Sequence, residues 1–247
     1  PIGGALVEIG GWRSILLSAA GFGVLIGIVC WLVMFETHTE RMGSSAQSGL
    51  FRGYGTLLRN LRFNAYVLQS GFTSSVFFTM AAASSFLMID YLGRPASEYG
   101  MYFVCFPAGF LTGSLISSRL AGRVRTETMV LVGSLVMAIG AFTQVGFIVA
   151  GIVTPLTIFL PGYFAIMSQG IALPSAQSGA INVAGPLAGT AAGIGVFIQL
   201  FAAGVATQIY GFVADGTPYP MVIVVSLFTV CTMVVGVIPY LTRERSA

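Results

Sequence analysis

The chain has 247 residues, of which 56% are hydrophobic and 8% charged, with a formal net charge of +3 and a mean hydropathy of +0.91. A water-soluble domain keeps roughly a quarter of its residues charged. A fully hydrated surface is therefore excluded, and most of this surface must face lipid.

Five stretches carry no Asp, Glu, Arg or His: 14–35, 63–89, 99–118, 128–214 and 216–242. About 20 apolar residues in a helix cross a bilayer core of about 30 Å. Four stretches are of single-span length, and the 87 residues of 128–214 need three spans. In lipid the backbone must satisfy its own hydrogen bonds, so each span is expected to be a helix.

In chain order, Pro1 to Ile9 is an apolar stub, and Gly10-Gly11-Trp12-Arg13 a turn with Trp12 as interfacial anchor. A first full span covers 14–35. Residues 36–62 follow as a polar, Gly- and Ser-containing linker that ends in Arg52, Arg59 and Arg62 among leucines. That mix suits a short helix on the inner membrane surface. Six more spans are expected at 64–90, 98–118, 127–150, 155–177, 187–213 and 219–241. Breaks at Val153-Thr154-Pro155 and from Ser178-Gly179 to Gly185-Pro186 divide the longest stretch. The total is seven full spans and a stub, and a start at Pro1 inside an apolar run implies further helices upstream.

All eleven basic residues are arginines. Arg41, Arg52, Arg59 and Arg62, then Arg119, Arg123 and Arg125, then Arg243 and Arg245 recur at every second turn, whereas Arg13 and Arg94 fall on the other side. Positive residues stay inside, so the linker and the C-terminus are expected in the cytoplasm. Cys30, Cys105 and Cys231 lie within spans and read as small apolar packing residues.

Several motifs resemble one family. Pro1-Ile2-Gly3-Gly4 followed by Gly11-Trp12-Arg13 resembles the end of the fifth helix of major facilitator antiporters, with one residue fewer before the Gly pair. Phe35-Glu36-Thr37 resembles the Pro-Glu-Thr ending of their sixth helix, with Phe in place of Pro. Leu57 to Phe63, Ser97-Glu98-Tyr99-Gly100 and Pro186-Leu187-Ala188-Gly189-Thr190-Ala191 resemble stretches at the seventh, eighth and eleventh helices of the Bcr/CflA drug-resistance branch. Gly113 through Arg123, with Arg119, Gly122 and Arg123, resembles a degraded copy of the cytoplasmic loop motif that joins paired helices; its usual Asp is missing, with Ser118 nearest.

The resemblance implies an all-α membrane protein. Residues 1–35 would be the end of helix five and helix six of an N-terminal lobe, 36–62 the inter-lobe linker, and 63–247 the six-helix C-terminal lobe. It implies efflux of drugs or amphipathic small molecules in exchange for protons across a bacterial inner membrane. The expected partners are a small-molecule substrate, protons, the lipid bilayer and the N-terminal lobe of the same chain. No cofactor, metal or nucleic acid is expected.

Polar side chains within spans mark pathways in membrane proteins. Gln69, Thr73, Phe77, Met80 and Ser84 share one helical face. Tyr163, Gln169 and Gln199 are expected to converge with it on a substrate cavity, and interhelical hydrogen bonding is the plain alternative. Gly109 with Gly113, and Gly185 with Gly189 and Gly193, repeat at four residues, the spacing of close helix packing or gating. Pro161 and Pro174 kink or hinge the 155–177 span.

No full span has a carboxylate at its middle: Glu8, Asp90, Glu98 and Asp215 sit at outer ends, and His38 is in the linker. The proton-coupling group is therefore expected on the upstream helices, and the 247 residues alone are not expected to transport. A seven-helix receptor is the main rival reading. Against it, there is no lysine to hold a retinal, no outer cysteine pair and no Asn-x-Ser/Thr sequon at Asn60, Asn64 or Asn182. Catalysis is not expected, since no His/Asp/Glu cluster, phosphate loop or Cys-x-x-Cys is present.

Overall fold

The structure, a computed structural model, describes residues 2–33 and 46–242, and every regular element among them is helical. The chain divides into two compact units, residues 1–49 and 50–247. The Phe35-Glu36-Thr37 motif, His38, Arg41, Arg243 and Arg245 lie outside the described residues, as does most of the polar part of the linker.

The first unit holds α1 (Ile2–Val33), broken at Gly11, where φ is 68° and ψ −172°. Only glycine takes that conformation without strain, so the expected turn between stub and span falls on this residue. The Ser14 hydroxyl closes it by donating to the Gly11 carbonyl at 2.7 Å.

α2 (Ala46–Arg59) bridges the boundary into the second unit. Its C-terminal half does not lie free on a membrane surface. Leu57 is buried with Phe63, Tyr66 and Ala184, and Gly53 packs against the side chain of Leu187. Asn60 then ends α2 and caps α3 (Leu61–Phe86), its side chain accepting from the backbone amides of Arg62 and Phe63. α3 continues as a wider π-helical turn, Leu87–Tyr91.

α4 (Ala96–Phe103) and α5 (Cys105–Leu120) form one crossing with a hitch at Val104. Pro107 explains the hitch, because it has no N–H to give the Phe103 carbonyl. α6 (Thr126–Val149) precedes α7 (Pro155–Ala184), which opens with a reciprocal Thr154–Thr157 capping box and Pro155 at its first turn. α7 runs helically through Pro161 and Pro174 and stops only at Gly185, where φ is +54°. A 3₁₀ turn, Gly185–Leu187, leads back into α8 (Ala188–Val213), and α9 (Tyr219–Leu241) closes the chain.

Six continuous helical stretches are apolar and long enough to span a bilayer. One of them, Pro155–Val213, doubles back at Gly185, so there are seven helices of crossing length among the described residues. The expected break from 178 to 186 is thus too wide. Residues 178–184 remain helical because Gly179 packs on the Tyr66 ring and Ala180 and Ala184 are buried beside it. Glycine alone does not stop a helix that packing holds.

In the second unit α7 packs most extensively on α6 and α5, and α3 packs on α8, α9 and α7. Lipid tails are as apolar as leucine, so close van der Waals fit must hold such helices together. Glycine supplies the fit. A Cβ at Gly109 would stand 2.5 Å from the Tyr163 carbonyl oxygen, and one at Gly113 would overlap the Met167 carbonyl. Gly170 on α7 meets the α5 backbone in the same way. On the other side of α7, a Cβ at Gly140 would lie 2.6 Å from the Ala165 nitrogen and one at Gly133 2.6 Å from the Ala172 Cβ.

Gly189 and Gly193 differ: each is exposed, with no atom within 4 Å of an added Cβ, and Gly185 serves the turn through its positive φ. Overpacking a tight contact costs about 1–3 kcal/mol. Gly113→Ala is therefore expected to lower thermal stability in detergent by that amount, while Gly193→Ala leaves the melting temperature unchanged. Equal melting curves for the two variants would remove the backbone contact from the account.

Candidate functional site

The polar residues of the spans fall into two sets. The first is interior. Gln69, Thr73, Met80 and Ser84 are all fully buried, and Gln69 donates to Thr73 one turn along the same helix at 3.1 Å. The Gln69 side chain lies beside Ser134 of α6 and Gly236 of α9. Of the shared face expected on α3, only Phe77 borders the cavity described below; Gln69, Thr73, Met80 and Ser84 are sealed within the unit. Tyr163 also spends its hydroxyl within the unit, donating to Thr112 of α5 at 3.0 Å.

The second set surrounds a cavity of about 380 Å³ between α3, α4, α5, α7 and α8. Its walls are Phe77, Phe78, Phe103, Phe106 and Phe110, with Pro107 and Leu173. The Phe77 and Phe78 rings meet edge to face at 5.1 Å, and Phe106 is braced from behind by Phe159 at 5.3 Å. The polar groups are Gln169 and Gln199, and none of the described residues lining the cavity is charged. Gln169 donates to Ser74 of α3 at 3.1 Å, and Gln199 accepts from Gln177 of α7 at 3.0 Å. Each lining residue from a spanning helix lies near the midpoint of its crossing, so the cavity sits at mid-depth.

This arrangement of clustered aromatic rings and two amides can bind a flat amphipathic molecule by contact and hydrogen bonding. The residues not singled out in the sequence are Phe78, Phe103, Phe106, Pro107, Phe110 and Leu173, with Ser74 and Gln177 behind the amides. Phe103, Phe106 and Phe110 repeat at helical spacing, which was a readable signal. The two glutamine partners carried none.

The profile of the Major Facilitator Superfamily matches residues 1–207. The chain belongs to that superfamily. It is 29% identical over 132 residues to the multidrug transporter MdfA of Edwardsiella ictaluri, covering 53% of this chain and 32% of that protein. The multidrug transporter MdfA of Edwardsiella piscicida is 26% identical over 180 residues, covering 73% and 42%. That of Yersinia pestis is 25% identical over 144 residues, covering 58% and 35%. The chain therefore spans less than half the length of these relatives. Superfamily membership and the apolar helices together make this an integral membrane protein.

One end of the second unit carries Arg62, Arg119, Arg123 and Arg125. Arg62, at the start of α3, forms an ion pair with Glu127 in the first turn of α6, and both are partly buried. Tyr66 lies against the pair, and its ring packs on Gly179 of α7. The loop of Arg119, Gly122 and Arg123 is at the same end, turning on Gly122 with φ +77° and with the Arg123 amide donating to the Leu120 carbonyl at 3.0 Å. At the opposite end Arg94 and Glu98 pair at 3.7 Å. There too the Thr217 hydroxyl and amide donate to Asp215 and hold its carboxyl below the usual range.

A hydrogen bond to a charged group contributes about 1.5–3 kcal/mol. Glu127→Gln is expected to destabilise the second unit within that range, and adding Arg62→Gln should recover part of the loss. A double-mutant cycle in detergent with no coupling between the two would rule out the pair as a tie between α3 and α6.

Proposed function

We propose that this chain is part of a proton-coupled exporter of drugs or amphipathic small molecules working by alternating access. In this reading residues 1–35 belong to an N-terminal lobe, 36–62 join the lobes, and 63–247 form the C-terminal lobe, of the Bcr/CflA branch. The observation that carries it is the aromatic cavity at mid-depth, bordered by four crossings of one lobe. Transporters of this kind bind substrate near the bilayer midplane where their repeats face each other. The multidrug transporter names of the relatives support the same reading.

Coupling needs a titrating group near the pathway. Among the described residues no carboxylate lines the cavity, and Glu127 is held by Arg62 at the arginine-rich end. We therefore assign coupling to helices of the N-terminal lobe beyond these 247 residues. The arginine distribution supports a cytoplasmic C-terminus, and the bacterial relatives support an inner-membrane location.

The cavity reading is tested by Phe77→Ala and Gln169→Leu in the complete protein. Each removes one good contact, so binding of an aromatic substrate should weaken about five- to tenfold and efflux fall with it, at unchanged protein abundance. Unaltered efflux in both variants would refute the reading.

A further inference from the structure

The two glutamines of the cavity share one feature: each is tied by one end to a group that both donates and accepts. Gln169 is 5% exposed and meets the hydroxyl of Ser74, which is fully buried. Gln199 meets the amide of Gln177. A serine hydroxyl has one donor and two acceptor sites, and a primary amide has a carbonyl at one terminus and an NH₂ at the other. Turning a glutamine by 180° about its last bond exchanges those termini while the heavy atoms keep their places.

Consider each tie after such a turn. With its carbonyl toward Ser74, Gln169 accepts from the hydroxyl and offers NH₂ to the cavity. In the opposite sense it donates to Ser74 and offers its carbonyl. For Gln199 the turn is matched by one of Gln177, so the tie survives with donor and acceptor exchanged. A tie to a backbone carbonyl or a carboxylate would forbid this, since the wrong orientation would set two acceptors face to face. That failure costs the desolvation of a buried unpaired group, which exceeds the worth of an ordinary hydrogen bond.

We propose that Ser74 and Gln177 are positioning residues that keep Gln169 and Gln199 reversible, so that the cavity takes uncharged aromatic ligands bearing either a hydrogen-bond donor or an acceptor. This rests on the reading of the cavity as a substrate surface and adds a physical source of broad selectivity. The phenyl walls recognise the ring without regard to polar pattern, and the amides conform to whatever polar group the ring carries. No rearrangement of the helices is required.

Gln177→Glu tests the proposal in the full-length protein. An ionised carboxylate only accepts, so Gln199 must donate to it and present its carbonyl to the cavity. Binding to the purified protein in detergent is measured for two probes of matched size: an aryl methyl ketone, which only accepts, and an indole, a ring amine that only donates and stays uncharged throughout the pH range used. Wild type is expected to bind both within about threefold of each other.

At pH 9 the Gln177→Glu protein should favour the indole over the ketone by about tenfold more than wild type does, the factor one misdirected hydrogen bond produces. Lowering the pH to protonate the introduced carboxylate restores a donor there, and the preference should fall back towards wild type. A structural defect would weaken both probes together and would not reverse with pH. The same probe ratio as wild type at both pH values would overturn the proposal. Failure of wild type to bind either probe would instead refute the cavity as a substrate surface, a distinct outcome.

Discussion

Backbone-to-backbone contact on both sides of α7 governs the geometry of the second unit. Gly109 and Gly113 admit α5 on one side, and Gly133 and Gly140 admit α6 on the other. Hydrophobic burial gives helices in lipid no reason to approach so closely, and small residues that bring main chains into contact do. With α5 and α6 held against α7, Phe106 is pressed onto Gly162, and the aromatic wall of the cavity takes its position. The cavity is a consequence of where glycine permits contact and where phenylalanine fills the remaining space.

The same constraint divides the polar groups. Gln69, Thr73, Met80 and Ser84 of α3 are sealed inside the unit, where Gln69 donates to Thr73. Gln169 of α7 and Gln199 of α8 instead reach the cavity, each tied to a neighbouring helix, Gln169 to Ser74 and Gln199 to Gln177. One class of side chain thus serves as internal fastening at one place and as a binding surface at another. The neighbour, not the residue type, decides which.

Much of the helix plan was legible in the sequence. Spans follow from charge-free length, and the turn at Gly10-Gly11 and the start at Thr154-Pro155 follow from local chemistry. The Gly109–Gly113 pair was readable because four-residue spacing has a direct packing meaning. The same spacing at Gly185, Gly189 and Gly193 meets no helix among the described residues: Gly185 belongs to a turn, and an added Cβ at the other two finds no atom within 4 Å. The face of Gln69, Thr73, Phe77 and Met80 was correctly periodic, but periodicity fixes which residues share a face and not which helix covers it. The ties to Ser74 and Gln177 join different helices, and a single helix's pattern contains no trace of them. The docking of Leu57 and Gly53 beside Leu187 was hidden for the same reason.

The polar positions of the spans thus divide into a sealed set and a cavity-facing set, and that division has a chemical consequence. It is probed by single-cysteine accessibility in the full-length protein, with Cys30, Cys105, Cys231 and any cysteine outside these 247 residues replaced by alanine. A small membrane-permeant maleimide is expected to label Gln199→Cys and Leu173→Cys, and an aromatic amphipathic substrate to slow that labelling. Thr73→Cys and Ser134→Cys should stay unlabelled until the protein is denatured. Equal labelling of all four positions in the folded protein, or none protected by substrate, would contradict the account.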